Sequence, residues 1–165
     1  MKRTSKVLAT ILALVLIVGA VFCVSVLAED NTPALGQANV VYGDRISLAF
    51  TVDGYTGDGL VGIAVYKNEG DATPAYASFE KKEDNGVEYY ETFGIAAKDI
   101  DTVYYVAVAE KDGEGNITLL SEKAAYSVAQ YANDRLEDVE ASDEQKSLYN
   151  AILKYNAAAN ELFAD

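Results

Sequence analysis

The chain has no histidine and no tryptophan, and its single cysteine, Cys23, lies close to the N-terminus. Without histidine there is no Ser-His-Asp or Cys-His catalysis, and the ordinary zinc, copper and haem sites lose their usual ligands. Neither a G-x-x-x-x-G-K-S/T loop nor a G-x-G-x-x-G opening a helix is present, so nothing supports nucleotide binding. Basic residues are also scarce, 13 against 26 acidic ones, for a net charge of −13. A chain this acidic is repelled by nucleic acid phosphates and by anionic membrane surfaces. These absences exclude most cofactor chemistry, and the expectation is a protein without cofactor or metal.

The few basic residues are unevenly spread. Lys2, Arg3 and Lys6 precede an uncharged run over residues 7–28 that closes on Val26-Leu27-Ala28. A basic start, an apolar stretch and small side chains before Glu29 predict a secretory signal peptide over residues 1–28. The run is long enough to span a bilayer, so an uncleaved anchor is the alternative. Both place the remainder outside the cell, secreted or tethered. Cys23 is no lipidation site, because bulky Phe22 precedes it. The exported part then holds no cysteine, and its core must be stable without a disulfide.

Residues 29–37, EDNTPALGQ, are polar with a proline and a glycine and read as a linker. From 38 to 126 the pattern is that of strands. In ISLAFTVD (46–53) the apolar residues Ile46, Leu48, Phe50 and Val52 alternate onto one face. NVVY (39–42), LVGIAVYK (60–67), AYASFEKK (75–82), VEYYETF (87–93), DTVYYVAVAE (101–110) and ITLLS (117–121) complete about seven strands. The run 101–110 is apolar on both faces and therefore central, and KDGEGN (111–116) has hairpin chemistry. Short strands at this spacing predict an immunoglobulin-like antiparallel β-sandwich.

After residue 126 the period changes. Ser127 with Gln130, and Ser142 with Gln145, are capping boxes, predicting one helix that ends near Glu140 and a second that begins at once. Val128, Tyr131, Ala132, Leu136 and Val139 form the expected apolar face of the first. Leu148, Ile152, Tyr155, Ala159 and Leu162 form the expected seam of the second. Residues 127–164 thus read as a helix pair packed on the sandwich.

Two stretches, GIAAKDIDTVYYVAVAEKDGEGNITLLSEKAAYSVAQYA (94–132) and LYNAILKYNAAANELF (148–163), resemble a C-terminal module of secreted and cell-surface proteins from gut-associated anaerobic bacteria. That module carries a GIAAKDM turn, a YSVxDYA helix start and a closing LLNYGAAAQ-type helix, and the likeness spans roughly residues 87–163. Asn156 stands where the family usually has glycine, and Gln130 where it has a charged residue. The resemblance implies an extracellular sandwich-plus-helix module and no assigned activity or site residues.

Remaining chemistry rests on carboxylates and tyrosines. Glu88 with Glu91, Asp99 with Asp101, and Asp53 with Asp58 are the pairs a small glycosidase would need, yet so acidic a chain produces such pairs by chance. DGYTGDG (53–59) and DGEGN (112–116) resemble calcium loops but lack the full ligand alternation, and turn chemistry accounts for them. Twelve tyrosines are the more distinctive feature. Strand alternation predicts that Tyr66, Tyr76 and Tyr90 point away from the core, with Tyr55 on a loop, a candidate aromatic platform for sugars. The expectation is a non-enzymatic surface module that contacts an extracellular protein or polysaccharide, with a tyrosine-based carbohydrate binder as the alternative.

Overall fold

The computed structural model describes residues 32–164; the expected signal segment lies outside them. Nine strands and two helices run in the order β1 (Ala34–Tyr42), β2 (Ile46–Asp53), β3 (Leu60–Tyr66), β4 (Tyr76–Ser78), β5 (Lys82–Asp84), β6 (Val87–Glu91), β7 (Tyr104–Lys111), β8 (Ile117–Leu119), β9 (Ala124–Tyr126), α1 (Val128–Glu137) and α2 (Asp143–Leu162). A 3₁₀ turn, Ala97–Asp99, lies between β6 and β7. One sheet has the order β1-β2-β6-β5 and the other β4-β3-β7-β8, with β9 also on β7. All pairings are antiparallel. This is the immunoglobulin-like arrangement, two sheets packed face to face with eight strand positions, the last of them broken into β8 and β9.

Alternation decides what faces inward. Leu48 and Phe50 from one sheet meet Ile63, Val65, Val106 and Tyr104 from the other in one buried cluster. As 101–110 foretells, β7 is central, paired along β3 on one side and with β8 and β9 on the other. Its odd-numbered residues Ala107 and Ala109 face outward yet are fully buried. Phe79 packs over Ala64 and Ala109, together with Tyr66 and Tyr105. Gly62 makes this possible, since a Cβ there would stand 2.0 Å from the Ser78 carbonyl oxygen. The hairpin β5–β6 turns on Asn85 and Gly86, both at positive φ, the type I′ geometry that matches strand twist.

The structure corrects four expectations. The linker gives way to β1 at Ala34, which pairs with Asp53, and the strand bulges further on, between Leu35 and Ala38. Gly36, read as linker chemistry, marks a close approach, where a Cβ would meet Thr51 Oγ1 at 2.2 Å. AYASFEKK is two strands in different sheets, because the chain crosses over at Phe79–Lys81. Helix α1 ends at Glu137 with an extended Asp138, so Val139 leaves the helix and is 93% exposed. In α2 the buried stripe is Tyr149, Ile152, Asn156 and Ala159, whereas Leu148, Tyr155 and Leu162 of the expected seam are exposed.

The helices begin where the sequence places them. Ser127 Oγ accepts from the Gln130 N–H, and Ser142 forms a full capping box with Gln145. Val128 and Ala132 insert into the main core. Tyr131 Oη donates to Asn39 Oδ1 of β1 at 2.8 Å, and Asn156 Nδ2 donates to the Ala97 carbonyl at 2.8 Å. The pair therefore clasps β1 at one point and the 3₁₀ turn at another. Ser127→Ala and Ser142→Ala should each cost about 1 kcal/mol. Denaturant titration checks this; unmoved midpoints in both variants would mean that the caps are not what start these helices.

Candidate functional site

The four tyrosines do not form one exposed face, although Tyr55 and Tyr90 lie near enough to interact electrostatically and Tyr76 and Tyr90 share the main core. Tyr76 pairs in register with Val65 and stacks edge-on against Phe93 at 5.6 Å, facing the core rather than solvent. Tyr90 pairs with Phe50 and is 5% exposed, again facing inward. Both reversals have one cause: the strands holding them begin at positions that set the opposite parity. Tyr66 does lie on the outer face but is 2% exposed, covered in part by Lys123, whose Nζ stands 3.9 Å from the ring centroid. The same Nζ donates to the carbonyls of Glu69 and Asp71, so this ring is a clamp between loops. Tyr55 sits in the β2–β3 loop, half-buried, its hydroxyl enclosed close to Gly57 and without a hydrogen-bond partner. No shared face collects them for a sugar.

The carboxylate pairs fare similarly. Glu88 and Glu91 are three residues apart in β6 and project to opposite faces of the sheet. Glu88 forms an exposed 2.7 Å ion pair with Lys81. Glu91 is 8% exposed and accepts from Ser47 Oγ and from Lys82 Nζ. Burial pushes its carboxyl up, but those two hydrogen bonds, with the charges of Lys82 and Arg45, outweigh burial and hold it below the usual range. Ser47 is fully enclosed and has no path to a substrate. This Ser-Glu-Lys group ties β2, β5 and β6 together, which gives Glu91 a partner set other than Glu88.

In the 111–116 loop, Asp112 Oδ1 accepts from the N–H groups of Glu114 and Asn116, and Oδ2 accepts from the Asn116 amide. The carboxylate thus builds the turn. Among the described residues no group of three or more Asp, Glu, His or Cys is placed to hold a metal ion.

What the structure does place at the surface is apolar. Val139, Leu148, Tyr155, Leu162 and Phe163 all belong to the helix pair or its elbow, and are 93%, 44%, 59%, 77% and 63% exposed. Along α2, Leu148, Tyr155 and Leu162 recur every seven residues, with exposed Ala151 and Ala158 between them. Lys154 and Glu161, both exposed, flank this line. Spacing alone turns Leu148, Tyr155 and Leu162 inward, because two adjacent stripes of α2 satisfy nearly the same spacing. A smaller exposed group, Leu60, Ile117 and Leu119, lies on β3 and β8 of the β4-β3-β7-β8 sheet. No helix among the described residues is long and apolar enough to cross a membrane. Searches against protein-family models, curated proteins and solved structures gave no match.

Glu91 gives a pH prediction. A carboxyl lowered by folding stabilises the fold above its unfolded pKa of about 4.3, and that stability is lost as pH falls through the lower folded value. Wild type minus Glu91→Gln, measured by denaturant titration, should be positive near neutrality and shrink on acidification below about pH 4.3. A difference that does not change with pH would show that Glu91 is not held ionised by Lys82 and Ser47.

Proposed function

We propose that the chain is an exported, non-enzymatic contact module that meets a protein partner through the outward face of α2. The observation that carries this reading is the exposed line Leu148, Tyr155 and Leu162 on a 20-residue capped helix. Single exposed apolar residues are ordinary; a row of them on one helix face supports a binding surface. Export is supported by the basic residues Lys2, Arg3 and Lys6 ahead of the uncharged run to residue 28. The likeness to a bacterial cell-surface module points the same way. A carbohydrate platform has no such support, since Tyr76 and Tyr90 face the core.

The test is retention of the exported chain on envelopes of the producing cells. Wild type should be retained, and a Leu148→Ser, Tyr155→Ser, Leu162→Ser variant with the same unfolding midpoint should lose at least about tenfold in affinity. Protease treatment of the envelopes should abolish retention. Equal retention of the triple variant would sink the α2 contact, and retention lost only after digestion of cell-wall polymer would make the partner a polysaccharide.

A further inference from the structure

We propose that the occupant of the α2 face is a basic amphipathic helix of the partner protein. This rests on the contact reading above and adds the chemistry of what is contacted. The argument begins with spacing. Glu144, Leu148, Ala151, Tyr155, Ala158 and Leu162 follow one another at intervals of four and three residues. That is the 3.5-residue repeat that keeps one helix in register with another over several turns. Large and small side chains alternate along the line, so Ala151 and Ala158 leave recesses between the projections of Leu148, Tyr155 and Leu162. A second helix can set its own projections into such recesses. The described residues of α2 span about 30 Å at the usual rise, enough for several layers of contact.

Charge chooses the partner. The elbow and first turn at the start of this line hold Glu137, Glu140, Asp143 and Glu144, all exposed. Asp138 is already paired with Arg135 at 2.8 Å. Asp143 and Glu144 also suit the N-terminus of α2 itself, but Glu137 and Glu140 lie before it and have no such role. Lys154 is the single exposed cation flanking the line within α2, and Glu161 balances it. A second copy of this chain, at −13 overall, would bring the same acidic elbow toward its own kind. In an antiparallel pairing about Tyr155 it would also place Lys154 near its own counterpart. Complementarity therefore favours a helix with lysine or arginine beside its apolar face.

The experiment uses the exported chain and two synthetic 18-residue helical peptides with one leucine pattern, their polar positions all lysine or all glutamate. Binding is read by fluorescence anisotropy at low and at physiological salt. The Leu/Lys peptide should bind saturably and the Leu/Glu peptide at least about a hundredfold more weakly. Leu148→Ser with Leu162→Ser should weaken the Leu/Lys peptide about tenfold or more. Glu140→Gln with Glu144→Gln should weaken it and flatten its salt dependence. Matching unfolding midpoints keep these comparisons interpretable. Binding that survives the leucine substitutions would be charge alone and would overturn the proposal. So would a dimer in sedimentation equilibrium that the leucine substitutions dissociate, since the occupant would then be a second copy. If envelope retention depends on the stripe while neither peptide binds, the basic helix is wrong and the contact face stands. If retention is indifferent to the stripe as well, both readings fall together.

Discussion

The structure depends on one strand pair, β3 against β7, registered from Leu60 opposite Lys111 to Tyr66 opposite Tyr105. Its inner face supplies Ile63, Val65, Val106 and Val108 to the core, and its outer face is closed by Phe79 over small residues. A pair buried on both sides cannot slip register, because a one-residue shift would drive alanines inward and valines into the space under Phe79. That rigidity is needed. Antibody domains of this topology cross-link their two sheets with a disulfide packed on a tryptophan. This chain has no tryptophan, and its one cysteine lies at position 23, far from the sandwich sequence. Phe50, fully buried, and its edge-on contact with Tyr126 at 4.8 Å, supply inter-sheet cohesion.

From that pair the rest follows outward. β9 continues β7's second edge and delivers the chain to Ser127, so α1 starts against the core and buries Val128 and Ala132. The helix pair is then fixed by polar contacts, Tyr131 to Asn39 and Asn156 to Ala97. Tyr131 and Tyr149 meet edge-on at 6.0 Å, and burial of the Tyr131 hydroxyl raises its pKa strongly. The choice of residues here is informative. α2 turns Tyr149, Ile152, Asn156 and Ala159 toward the sandwich and Leu148, Tyr155 and Leu162 away from it. Placing Asn156 and Ala159 in that stripe while Leu148 and Leu162 stay outside forgoes roughly 1.5–3 kcal/mol for each leucine.

Local chemistry was legible in the sequence, and parity was not. The two serine N-caps, the alternation of ISLAFTVD and the Asp112 turn rest on contacts within a few residues, which composition and spacing encode directly. Tyr76 and Tyr90 were misplaced because a strand's inward face depends on its first paired residue, set by a distant partner. The crossover at Phe79 was hidden for the same reason: a continuous run of strand formers does not say which sheet each half joins. In α2 the ambiguity was angular. Leu148-Tyr155-Leu162 and Tyr149-Ile152-Asn156-Ala159 lie side by side on the helix, and hydrophobicity alone favours the first. The second is the stripe that faces the sandwich, and within it Asn156 donates to the Ala97 carbonyl of the 3₁₀ turn.

The acidity of the chain and the outward leucines belong to one argument. An exposed apolar helix face invites association between copies, and a strongly charged surface opposes it. With a net charge of −13 on 165 residues and carboxylates gathered at the start of α2, copies would repel one another, and the proposed cationic helix would be drawn in. Under that proposal the same charge pattern would keep the stripe open and select what closes it. Specificity of this kind needs both halves, since apolar contact without the acidic rim would accept any amphipathic helix. The acidic rim without the stripe would hold basic segments only loosely, at a strength that salt would erase.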